Sequence, residues 1–171
     1  MMEHQTLAEF KENAIFRIDE SMRMIQISLM NIDDQDVWDR PNSQSNSIGN
    51  LLLHLAGNIK QYGVSSLGNM EDTRRRDIEF TTNEGHTKDE LFQHLYAVVE
   101  NAKQVLSQAN SEEMLRKRLV QGFNFSGIGI VLHMVEHLSY HTGQIAFWVK
   151  QIREKDLGFY RGMDLNTKNE S

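Results

Sequence analysis

Three histidines stand four residues apart in the run His133-Met-Val-Glu-His137-Leu-Ser-Tyr-His141-Thr-Gly-Gln144-Ile145. On a helix turning about 100° per residue, each such step advances only about 40°, so the three rings share one stripe. Ile130, Met134, Gln144, Ile145 and Trp148 fall in the same broad sector, which aims the imidazoles at an apolar core and predicts them buried or half buried. Two neutral imidazoles at i and i+4 can chelate one divalent ion, and the ligand type suits zinc, nickel, copper or iron. The chelating pair is His137 with His141, or His133 with His137. A third ligand has to come from another helix. His54 is the one histidine elsewhere on a predicted core-facing stripe and is the candidate. Three protein ligands leave a position for water or substrate, the pattern of a reactive site.

The competing explanation is a set of core histidines satisfied by backbone, asparagine or water. For any one ring alone that explanation is favoured. Several rings converging on one interior favour a metal instead. Each buried neutral imidazole carries a donor and an acceptor that cost about 1–3 kcal/mol if left without partners, and a shared cation settles several acceptors together.

The chain that must position these groups has 171 residues, the size of one domain, 1–171, with a single hydrophobic core. With 18 basic and 24 acidic residues its formal charge is −6, so no broad positive field invites nucleic acid or an anionic membrane. It contains no cysteine, which excludes disulfides, thiolate metal ligands and a cysteine nucleophile, so any thiol chemistry needs an external thiol. The first ten residues lack the basic and apolar segments of a signal peptide, and no apolar run approaches the roughly 20 residues that span a bilayer. A cytoplasmic protein is the expectation. The nine methionines read as core filler, and a single proline with few strand-like alternations predicts long helices.

Four amphipathic segments follow. Thr6 and Glu9 have capping-box spacing ahead of Leu7, Phe10, Ala14, Ile18, Met22, Ile25 and Leu29, giving a first helix over about 7–30. A polar link over 31–46 carries four aspartates and Pro41, with Val37 and Trp38 as its apolar anchor. The aspartates lack the glycine and terminal glutamate of a calcium loop. Ser47 is the N-cap of a second helix over about 47–67, whose stripe of Leu51, Leu55, Ile59 and Tyr62 also holds His54 and Asn58. The segment 68–86, with Arg74-Arg75-Arg76 ahead of Asp77-Ile-Glu-Phe80, reads as a long connection suited to a lid. Its arginines read as a solvated run pairing with Asp72, Asp77 and Glu79, in preference to an anion site. Thr87 and Glu90 form a second capping box opening a helix over about 88–108; His86 and His94 are placed at its surface or rim. Residues 110–118 suggest a short helical turn, Ser126 caps a fourth helix over about 127–155, and Leu157 to Tyr160 pack back on the body. The fold class is all-α, a four-helix bundle.

His54-Leu-Ala-Gly-Asn58, the Asp77-Ile-Glu-Phe80 segment and His137-Leu-Ser-Tyr-His141-Thr-Gly-Gln144-Ile resemble the DinB-like superfamily, which includes bacillithiol- and mycothiol-dependent enzymes of the YfiT type. The resemblance spans nearly the whole chain. It implies a four-helix bundle, often dimeric, with a metal held by one histidine of the second helix and two of the fourth. Carried over by motif, those are His54, His137 and His141, because the family's last ligand immediately precedes a residue-Gly-Gln sequence, here Thr142-Gly143-Gln144. His133 then becomes a neighbour of the site, with Asn58 and Gln144 placed to orient ligands or bound water. Glu136 points about 100° away from His137 and is not the general base.

The expected function is a transferase that uses zinc or nickel to activate a small bacillithiol-type thiol for transfer to an electrophilic substrate, in a homodimer. A stress-related or interaction protein with the metal as a clamp, and a metal-dependent hydrolase, are the alternatives.

Overall fold

The computed structural model describes residues 2–169. Helix α1 spans Met2–Leu29, starting before the capping box expected at Thr6; its Ala14, Ile18, Met22, Ile25 and Leu29 are buried at helical spacing and it lies against the helix Lys88–Gln108 and the last helix, Gly127–Arg153. The 31–46 link follows its anchor reading: Val37 is fully buried, and Trp38 donates from Nε1 to His86 O at 2.9 Å. Asp33 and Asp36 are paired with Arg153, which ties the link to the far end of the chain.

Helix α2 spans Ile48–Ile59. Ser47 caps it reciprocally with Asn50: the serine Oγ accepts from Asn50 N at 3.1 Å and Ser47 N donates to Asn50 Oδ1 at 3.2 Å. The predicted second helix continues to Leu67, but from Lys60 it is a π-helix, Lys60–Leu67. Side-chain periodicity over eight residues does not separate i+4 from i+5 hydrogen bonding, so the wider turn was not legible.

The long connection contains a short helix, α3, Arg76–Thr81, so Asp77 to Phe80 is helical where a loop was expected. Asn50 docks it, donating from Nδ2 to Glu79 O at 3.0 Å and to Thr82 O at 2.6 Å. Helix α4, Lys88–Gln108, starts at the Thr87 and Glu90 capping box as read from the sequence, and α5, Ser111–Leu115, is the short turn expected after it.

A two-stranded antiparallel hairpin follows that the spacing did not predict, and it takes residues 117 and 118 out of the expected turn: β1, Lys117–Val120, pairs with β2, Phe123–Ser126, in the register Lys117 opposite Ser126 and Val120 opposite Phe123. Gln121 and Gly122 turn it with φ of 50° and 85°, the positive pair that a two-residue hairpin loop demands and that glycine supplies at least cost. Helix α6, Gly127–Arg153, begins at the Ser126 N-cap, whose Oγ accepts from Gly129 N at 3.1 Å. Leu157 is buried and Phe159 O accepts from Arg23 at 3.0 Å, so the 157–160 segment does pack back. The architecture is a mostly helical bundle in which α2, α4 and α6 enclose the core and α1 closes it. Among the described residues no helix is long and apolar enough to cross a membrane.

Candidate metal centre

Helices α2 and α6 bring His54, His137 and His141 together. One ligand nitrogen from each lies within 4.8 Å of the other two. His54 Nε2 is 2.8 Å from His137 Nε2, and the three rings stand edge to face, with centroids 5.0, 5.1 and 4.5 Å apart. His54 and His141 are buried and His137 is half buried. The helical phase that aimed Ile130, Met134 and Ile145 inward holds, since all three are buried; Trp148 is half buried. Gln144 is exposed at the rim.

What holds the rings explains their chemistry. His141 Nδ1 contacts Gln144 Oε1 at 2.7 Å; an amide oxygen only accepts, so the proton sits on Nδ1 and leaves the Nε2 lone pair free. His54 Nδ1 lies 2.9 Å from Glu79 Oε2 and 3.2 Å from Arg74 Nη2; the shorter contact, to a carboxylate that only accepts, places the proton on Nδ1 and leaves the Nε2 lone pair free. Carboxylate or carbonyl partners of this kind fix the tautomer and orientation of metal-binding histidines.

The Glu79 carboxylate was not legible as part of the site. It is 7% exposed and is held by Arg74, whose Nε and Nη2 donate to its two oxygens at 2.7 Å each. Burial raises the pKa of this carboxyl, but the hydrogen bonds from Arg74 and His54 outweigh it, and the net direction is below the ordinary value. Arg74 is thus paired with an acid, as the sequence reading had it, but it is not solvated: its side chain is 4% exposed. Asp77 takes no part. Apart from its place in the Asp77-Ile-Glu-Phe80 segment, Glu79 had a local signal in Gly57, a glycine in mid-helix beside His54. A β-carbon there would stand 2.0 Å from Glu79 Oε1, so the glycine opens the gap that lets the carboxylate reach the ring. Phe80, next along α3, packs its ring 4.9 Å from His54.

His133 stands one turn outside the trio. It stacks on Tyr62 at 4.0 Å and on His137 at 5.1 Å, and its Nε2 lies 3.2 Å from Asn58 Nδ2. Asn58 is buried and partners His133, with its Oδ1 unmatched among the described residues. Glu136 is exposed. His86 and His94 are exposed, as expected.

Burial, then the proximity of His141 and His54, pushes His137 down to about 3. Burial also lowers His133 and His141, in the latter against the opposing hydrogen bond to Gln144. All three are neutral at pH 7, the form that ligates. Metal–imidazole bonds of about 2.0–2.1 Å place nitrogens sharing one ion about 3–4 Å apart, which is the scale of this cluster. The donor set fits a borderline divalent cation.

Residues 5–161 match the model of a family described as "Protein of unknown function (DUF1572)". Nothing among the curated proteins matches the chain. Solved structures of similar fold include the following two. One is a conserved protein from Enterococcus faecalis, 16% identical over 84% of this chain and 97% of its own, with a TM-score of 0.66. The other is a DinB-like protein, YjoA, from Bacillus subtilis, 16% identical over 86% of this chain and 96% of its own, also at 0.66. At such identity the likeness carries the fold.

Proposed function

The chain belongs to the DUF1572 family and has the fold of DinB-like proteins, and from that premise we propose that it is a divalent-metal protein, holding zinc or nickel, that activates an external low-molecular-weight thiol for S-transfer to an electrophile. The observation that carries the metal reading is the meeting of His54, His137 and His141 inside the helical body, with the first and last held as Nδ1–H tautomers by Glu79 and Gln144. Thiol use is supported by the sequence resemblance and agrees with the absence of cysteine.

When bound, the ion supplies Lewis acidity that favours the thiolate over the thiol. The protein's own residues do the rest. Glu79 and Gln144 keep two rings from rotating, Arg74 keeps Glu79 ionised, Phe80 packs on His54, and His133, itself stacked on Tyr62, packs on His137. Asn58 fixes His133. The homodimer rests on the resemblance and on exposed apolar side chains along α6, Leu132 and Tyr140; light scattering in solution checks it.

The test is metal analysis of untagged protein beside a His137→Ala His141→Ala variant. Stoichiometric zinc or nickel in the first and little in the second is expected, followed by metal-dependent conjugation of a small thiol to a chloroarene. Equal, negligible metal in both ends the proposal. Because the donors come from two helices, a structural clamp is the second reading. Chelation separates them: a clamp loses many degrees of Tm with its metal, whereas an open site loses thiol transfer with little loss of stability.

A further inference from the structure

Beside the histidine cluster, between the 41–46 link, α2 and α6, lies a cavity of about 530 Å³, within the range that small ligands occupy. Its position follows from the helices. Leu51, in its wall, precedes His54 by three residues, and Gln144, also in its wall, follows His141 by three. At 1.5 Å rise per residue both steps are about 4.5 Å, so the cavity opens roughly one helical turn from the imidazoles, and Gln144 is shared between the two.

The lining is chemically selective. A quarter of the chain is charged, yet none of the eleven residues around this cavity carries a charge. Five are carboxamides: Asn42, Gln44, Asn46, Gln144 and Gln151. Two are aromatic, Phe147 and Trp148, the former 64% exposed. The carboxamides of Gln44, Asn46 and Gln151 make no hydrogen bond to another described residue, and Asn42 uses only its oxygen, which accepts from Gln44 N at 2.9 Å and Ser45 Oγ at 3.1 Å. Each free amide offers both a donor and an acceptor. An ionic ligand would leave its charge unpaired among these groups. A purely apolar one would make no use of the amides, which stand exposed at the rim.

We propose that this cavity is a binding site for an uncharged, hydrogen-bonding ring that stacks its face on Phe147 and Trp148 and offers its edge to the carboxamides. Two kinds of molecule share that chemistry, a neutral sugar and a nucleobase. Seated there, the ring directs a substituent toward Gln144 and His141, and that one consequence rests on the metal-centre reading.

The experiment is an NMR titration of the 15N-labelled full chain with methyl β-glucopyranoside and, separately, with adenosine. The chain has two tryptophans, and Trp38 lies outside the cavity wall as an internal control. Saturable shifts of the Trp148 indole and of the Gln44, Asn46 and Gln151 side-chain amides, with Trp38 unmoved, are expected from one probe, and which one identifies the source. Gln151→Glu, an exposed and nearly isosteric change, should weaken that binding about tenfold by introducing a charge. No saturable shift from either probe at millimolar concentration, or equal shifts at both tryptophans, overturns the proposal. The His137→Ala His141→Ala variant should bind the ring as wild type does. In the wild-type chain, negligible metal with ring binding intact therefore faults the histidine site alone, and stoichiometric metal with no ring binding faults the cavity alone.

Discussion

Replacing Glu79 with alanine removes one carboxylate that serves two partners. In the wild type its oxygens accept from Arg74 at 2.7 Å twice and from His54 at 2.9 Å. The loss leaves a guanidinium on a side chain only 4% exposed without a counter-charge. Breaking a buried ion pair by removing one member costs about 3–5 kcal/mol, a large fraction of the 5–15 kcal/mol that holds a typical domain together. With a urea m-value of about 2 kcal/mol/M, the midpoint should fall by about 2 M. The Arg74→Ala Glu79→Ala double variant should be less destabilised than the two single changes summed, by about 1–3 kcal/mol, because it leaves no orphaned charge. The sign of the pH dependence follows from the depressed folded pKa of Glu79: its contribution is present above the unfolded value near 4.5 and lost as pH falls through the lower folded one. The conservative Glu79→Gln change should keep more stability than alanine while still lowering metal affinity about 10- to 100-fold, the usual effect of losing a ring-orienting carboxylate. Urea titrations at pH 7 and metal competition titrations measure both. A Glu79→Ala midpoint within 0.3 M of wild type, about 0.6 kcal/mol at that m-value, or strict additivity with Arg74→Ala, would refute the account of this pair.

Two further outcomes follow from the same geometry. Gly57→Ala places a β-carbon 2.0 Å from Glu79 Oε1, so despite alanine's better helix propensity it should destabilise by about 1–3 kcal/mol and weaken metal binding; a more stable variant with unchanged affinity would show that the carboxylate does not depend on the gap. In chelator-treated protein, His133, His137 and His141 have folded pKa values below the ordinary 6.5, so the unfolded chain binds more protons and stability falls as pH drops below about 6.5. The slope is up to about 1.4 kcal/mol per pH unit for each histidine, read from urea midpoints between pH 7 and 5, and a flat profile would mean that the rings are not buried neutral.

The four long helical segments and the phase of the site were legible in the amino-acid order alone. Apolar residues at threes and fours, reciprocal caps at Ser47 and Thr87 and the Ser126 cap are local features, and local geometry places His137 and His141 on one stripe wherever the helix goes. His54 was reachable because its own helix has one apolar face. Where reasoning from spacing failed, the cause was non-local. The hairpin 117–126 depends on a pairing of two short strands and on positive φ at Gln121 and Gly122. Glu79 and Arg74 looked like members of a solvated charge run because nothing in the local pattern tells that Asn50 draws α3 against α2. Burial turns an ordinary acid into the carboxylate that orients His54, since a charge excluded from water must find its partners within the protein. Only the packing of α3 over Gly57 decided which charge that would be.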